Sequence, residues 1–104
     1  MISEYLRLFQ SAVDPADVEE VRRLFVDDVK PTFLALPGCL AVELVVNVEK
    51  NAGGLVEGAA ISRWSSLAAM EDALDSCDVA EALVRVQQLL RQEPISKVFE
   101  VLAG

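Results

Sequence analysis

Apolar positions along the chain change their period several times, and each change marks an element. Tyr5 to Val13 alternates, with Tyr5, Arg7 and Phe9 on one face and Leu6 and Leu8 on the other, which predicts a strand. Asp14-Pro15 follows it. A carboxylate that can accept orphan N–H bonds, next to a ring that pre-sets φ, predicts a helix start there. Val18, Val21, Leu24, Phe25 and Val29 then recur at helical spacing as one apolar stripe, with Glu19 and Arg23 as an i,i+4 pair on the wet side. Pro31 is expected to bend or end this helix. Thr32 to Leu36 is expected to add a turn before Pro37-Gly38 stops it.

The second half repeats the alternation between periods. Cys39 to Lys50 is β-prone, apolar at Leu40, Val42, Leu44, Val46 and Val48 and also, on the opposite parity, at Ala41 and Val45, so both faces of this strand are expected to be covered. Asn51-Ala52-Gly53-Gly54 reads as a turn between antiparallel strands, with Leu55 to Trp64 as the return strand. Ser65-Ser66 caps a second helix that buries Leu67, Met70, Ala73 and Leu74. Asp78-x-x-Glu81 reads as a capping box opening a third, with Val79, Ala82, Leu83, Val86, Leu89 and Leu90 at helical spacing. Pro94 closes it, and Ser96 to Ala103 forms a final short strand.

The order is β-α-β-β-α-β with the second helix broken in two, the α+β, ferredoxin-like arrangement of an antiparallel sheet with helices on one face. All 104 residues fit one such domain, 1–104. Helices on one face leave the other bare, and an apolar bare face calls for a second subunit, so a homodimer through the sheet is expected.

Composition removes function classes. The chain has 9 basic and 17 acidic residues, a net charge of −8, and no histidine. Without histidine there is no Ser-His-Asp relay, no Cys-His pair, no histidine-ligated zinc and no proximal histidine for haem. Arg22-Arg23 is the sole adjacent basic pair, too little for a nucleic-acid partner. Met1 to Tyr5 shows no secretory leader, and no apolar run approaches the roughly 18 residues of a membrane span, so a cytoplasmic protein with no membrane partner is expected. Cys39 and Cys77 stand apart and read as idle thiols. Glycines 38, 53, 54, 58 and 104 form neither a phosphate-binding loop nor a dinucleotide fingerprint. Glu71, Asp72, Asp75 and Asp78, like Asp27-Asp28, read as solvated helix faces and not as a metal site.

Leu36-Pro37-Gly38-Cys39-Leu40, Glu43-Leu44, Ser62-Arg63-Trp64-Ser65-Ser66 leading into Ala69-Met70, and Val98-Phe99-Glu100-Val101-Leu102 together resemble the antibiotic biosynthesis monooxygenase domain family. The resemblance spans nearly the whole chain and implies a dimeric α/β barrel of two ferredoxin-like subunits packed sheet to sheet. It also implies a cofactor-independent monooxygenase acting on an aromatic or polyketide-like small molecule, with no metal. Trp64 matches the tryptophan that borders the ligand pocket in family monooxygenases, and Ser62 shares its strand face with Ala60, so Trp64 and Ser62 are the implied catalytic candidates. Family members that oxidise phenolic polyketides carry an asparagine where Ala60 stands, and another near the first strand, whereas the asparagines here are Asn47 and Asn51. Haem-degrading relatives place an axial histidine in the region of Ser76-Cys77-Asp78-Val79.

The expected pocket lies between sheet and helices, lined by Val21, Phe25, Ala60, Leu83 and Val86 with Trp64 at its wall. Arg63 is expected to face the dimer seam, and Arg7 and Glu43 to form interface or rim ion pairs. The alternative is a non-catalytic dimeric small-ligand-binding or stress-response protein of the same fold.

Overall fold

The computed structural model describes residues 3–104, and the reading of Met1-Ile2 lies outside the described residues. Strand β1 (Tyr5–Val13) pairs antiparallel with both β3 (Val56–Trp64) and β4 (Ile95–Glu100), while β2 (Cys39–Val46) pairs with the other side of β3. The sheet order is therefore β2-β3-β1-β4. A 3-10 turn (Pro15–Asp17), α1 (Val18–Leu24), a π-helical turn (Phe25–Val29) and α2 (Lys30–Leu34) connect β1 to β2, and α3 (Leu67–Leu74) and α4 (Cys77–Gln87) connect β3 to β4. This is the expected ferredoxin-like α+β fold. The last strand begins and ends earlier than the expected Ser96 to Ala103.

Pro31 neither ends nor breaks the helix. The backbone stays helical from Val18 into α2, but Lys30 N–H donates to Phe25 O, five residues back, which widens the turn just ahead of the proline. A proline offers no N–H and its ring crowds the carbonyl four residues earlier, so a wider turn relieves both problems. The Thr32 hydroxyl donates to Asp28 O at 2.7 Å and supplies one carbonyl with a partner. Pro37-Gly38 does stop the run: Gly38 has φ +83°, and a Cβ there would stand 2.5 Å from Ala69 Cβ on α3.

Two local expectations shift, a helix cap by two residues and an ion pair by one. Asp14 accepts from Ala16 N–H at 2.9 Å as expected, but α4 is capped by Ser76, whose hydroxyl accepts from Asp78 N–H at 3.2 Å. Asp78 is already inside the helix, so it cannot close the expected box with Glu81. On α1, Arg23 donates to Glu20 one turn back, Nε to Oε2 at 3.1 Å, and Glu19 pairs with Arg22 in place of the expected Glu19 and Arg23. The turn at Asn51 forms as expected, the Asn51 side chain accepting from Gly53 and Leu55 N–H, with Gly54 at φ +77°.

Strand β2 carries a bulge. Cys39 faces Trp64 and Ala41 faces Arg63, so Leu40 is the extra residue between them and is 48% exposed. Such an insertion reverses the parity of everything before it. Cys39, Val42 and Leu44 consequently pack against the helical core, and Leu40 does not share their face as the alternation suggests.

The core gathers under the helices: Phe25, Val29, Phe33, Val42, Trp64, Met70, Ala73 and Val79 are buried together. Trp64 is 0% exposed, its ring 6.2 Å from that of Phe33, and its Nε1–H donates to Ser62 Oγ at 2.9 Å. Among the described residues the helices cover this face of the sheet. The opposite face presents Ala41, Val45, Ile61, Leu6, Leu8, Ile95 and Phe99 in adjoining register, with Val45 42% and Phe99 49% exposed. Arg63 lies on that face and pairs with Glu4 at 2.8 Å.

Two outcomes are expected in urea denaturation. Trp64→Ala removes the largest fully buried side chain and lowers stability by about 3–5 kcal/mol. Ser76→Ala costs about 1 kcal/mol through the lost cap, whereas Asp78→Ala leaves that hydrogen bond in place and costs less.

Candidate functional site

The register divides the helical face of the sheet into two halves. Trp64 pairs with Cys39 and Tyr5, and the next row joins Val42, Ser62 and Arg7. The β2 and β3 members of these two rows lie under the packed core. The following rows join Leu44, Ala60 and Phe9, then Val46, Gly58 and Ser11, then Val56 and Val13. These rows lie under a cavity of about 470 Å³, and all eight of their residues line it.

The cavity exists because its floor is built from residues too small to fill it. Ser11 on β1 pairs with Gly58 on β3, and Ala60 stands in the adjoining row opposite Phe9, while the larger side chains that line the cavity stand around this small-residue strip. Val18, Val21, Phe25 and Val26 roof it from the first helical run, and Val86 and Leu90 from the end of the second. Leu90 sits there because it bridges to Val13, and Arg91 N–H donates to Ala12 O at 2.8 Å, which draws the chain after α4 down onto the sheet.

Polar groups are few. The Ser11 hydroxyl donates to Gln92 O at 2.7 Å. Arg22 and Glu19, the charged residues among the lining, approach each other only to 3.9 Å and are largely in solvent, which places them at the mouth. In the row next to the floor, Arg7 stacks on Phe9 with its guanidinium carbon 5.4 Å from the ring centroid, and donates to Ser96 Oγ at 3.3 Å. Burial holds the Arg7 guanidinium below its usual pKa. Arg7 therefore makes a stacking contact on the helical face in place of the expected ion pair, while Glu43 stands exposed on the bare face beside Ile61.

Of the residues expected to form the pocket, Val21, Phe25, Ala60 and Val86 line the cavity. Leu83 lies outside it, packed against the core. Ser62 and Trp64, one and two rows beyond Ala60, bond to each other within the core and are outside the lining. The Gly58 and Val56 rows were not foreseen, nor were Arg22 and Glu19. A sequence signal did exist for the floor, since three consecutive small residues at 58–60 are unusual in a strand that otherwise packs. Cys39 is half-buried and its thiol is pushed up by burial, and among the described residues no group of three or more Cys, Asp and Glu converges as a metal site.

A family model described as antibiotic biosynthesis monooxygenase matches residues 5–86. No curated protein matches the sequence significantly. Among solved structures, the fold is similar to that of a conserved protein from Methanosarcina mazei Go1, at 15% identity and a TM-score of 0.75, covering 95% of this chain and 92% of that one. It is also similar to Rv0793 from Mycobacterium tuberculosis, at 21% identity and a TM-score of 0.71, covering 97% of each chain. SnoaB, a cofactor-independent oxygenase from Streptomyces nogalater solved as an asparagine-to-alanine variant, matches at 18% identity and a TM-score of 0.74, covering 97% of this chain and 95% of that one. At these identities the likeness is one of fold.

Proposed function

The chain belongs to the antibiotic biosynthesis monooxygenase family, and on that premise we propose that it is a cofactor-independent monooxygenase acting on an aromatic or polyketide-like small molecule held in the cavity. The observation that carries this reading is the cavity: about 470 Å³, floored by Ala60 and Gly58, apolar inside and charged at its mouth. Small-molecule sites fall in a range of about 300–1,000 Å³ and are mostly apolar with few polar groups.

The chemistry asks little of the side chains. An electron-rich phenol, once ionised, passes an electron to dioxygen; the radical pair recombines as a peroxide at carbon, and loss of water leaves a carbonyl. A methylene becomes a ketone, and dioxygen ends as the ketone oxygen and one water, so no further reductant is consumed. The protein contributes orientation and a water-poor environment. Trp64 and Ser62 serve as positioning residues in this reading, because their hydrogen bond anchors β3 beside the Ala60 row without reaching into the cavity.

A non-catalytic ligand-binding protein is the second reading, and one observation favours it. The lining contains no asparagine, and its interior hydroxyl, on Ser11, is already engaged with Gln92.

A homodimer through the bare sheet face completes the proposal. Val45, Ile95 and Phe99 would otherwise leave apolar area in water, and a second copy presenting the same face covers it.

Wild-type protein is expected to consume dioxygen with a phenolic anthrone, read at an oxygen electrode. Ala60→Leu fills the floor and abolishes both uptake and anthrone binding while keeping the melting temperature within a few degrees. Binding by the wild type without uptake selects the non-catalytic reading, and absence of binding removes both. Separately, Val45→Asp is expected to convert a dimer to monomers in sedimentation velocity, since an unpaired buried charge costs several kcal/mol; a wild-type monomer at micromolar concentration would overturn the dimer.

A further inference from the structure

We infer that Arg22 selects ligands that carry an ionised acidic group on an apolar body, holding that group at the mouth while the body lies on the Ala60–Gly58 floor. This rests on the reading of the cavity as a ligand site. The first observation is where charge occurs. The charged lining residues are Arg22 and Glu19, both on α1, and their side chains are 70% and 82% exposed. They form the rim, and nothing ionic lies on the floor.

The second observation is that Arg22 is weakly held. Its contact with Glu19, at 3.9 Å and in solvent, lies at the outer limit of an ion pair, and such exposed pairs contribute little. The neighbouring Arg23 is committed, with Glu20 on one side and Asp27 at 3.6 Å on the other. Arg22 can therefore turn its planar fork to an incoming carboxylate or phenolate at the loss of little, and that fork suits two-point contact with such an anion.

A third observation sets the sign. The Ser11 hydroxyl gives its proton to Gln92 O, so an anion gains no donor from it, and the remaining interior is apolar. An ionised group is thus driven to the rim. Behind Phe9 stands Arg7, a second cation with no carboxylate paired to it among the described residues. Against these two cations the lining offers Glu19 alone.

The test uses two unreactive probes with the same ring system, naphthoate and its neutral analogue naphthalenemethanol, titrated into the full-length protein by calorimetry. Wild type is expected to prefer naphthoate. Arg22→Gln, at an exposed position that leaves the melting temperature unchanged, should weaken naphthoate about two- to fivefold and leave the alcohol unaffected. Glu19→Gln should tighten naphthoate, and added salt should erode the preference in wild type but not in Arg22→Gln. Equal loss of both probes in Arg22→Gln, or no change in naphthoate affinity, overturns the inference while the cavity reading stands. Failure of wild type to bind either probe overturns the cavity reading and the inference together.

Discussion

The antiparallel pairing of β3 with β2 on one side and β1 on the other decides which side chains share a row beneath the helices, and the rest of the structure follows from it. Trp64 falls in one row with Cys39 and Tyr5, Ser62 with Val42 and Arg7, Ala60 with Leu44 and Phe9. Had β3 slipped by one residue, Trp64, Ser62 and Ala60 would all have moved to the bare face. The bulge at Leu40 is part of the same constraint, because it allows Cys39 and Val42 to reach the core together although their spacing in sequence is odd.

The filled core and the open cavity occupy different rows of the same face. Phe33, Met70, Ala73 and Val79 close over Trp64 and leave no space there, and the Trp64–Ser62 hydrogen bond satisfies two buried polar groups at once. Two rows on, Ala60 and Gly58 leave the roof of Val21, Phe25 and Val86 without a floor to pack on. Atoms that line a void forgo dispersion contacts, so the hollow half is a standing cost that the filled half must offset. Closing such a space would recover those contacts, and it is the small residues of β3 that keep it open.

The sheet has a second unfilled surface. Its outer face is apolar at Val45, Ile95 and Phe99 and carries Arg63 with Glu4 and the exposed Glu43. The two open surfaces lie on opposite sides of one sheet, so a second copy can cover the outer face without touching the cavity floor. Because the strands between them are the same strands, whatever holds the outer face flat also holds the floor.

Much of this was legible in the residues. Alternation located β1 to the residue, the apolar stripe of Val18, Val21 and Phe25 defined the helix that roofs the site, and Asp14-Pro15, Pro37-Gly38 and Asn51 to Gly54 placed a start, a stop and a turn. These are short-range matters, settled by backbone preferences and by hydrogen bonds between near neighbours. The cavity was only partly legible, through Val21, Phe25, Ala60 and Val86, because a void is defined by what distant segments fail to fill. That Gly58 would lie beside Ser11 and Val46, that Trp64 would sink under Phe33 beyond the cavity, that Leu40 would be extruded, and that Pro31 would be absorbed by a wider turn all depended on strand register and on helix packing. Register is a contact between residues about fifty positions apart, as with Ser11 and Gly58. No local preference encodes it, so the tertiary structure alone decided which small residues met and where the open space was left.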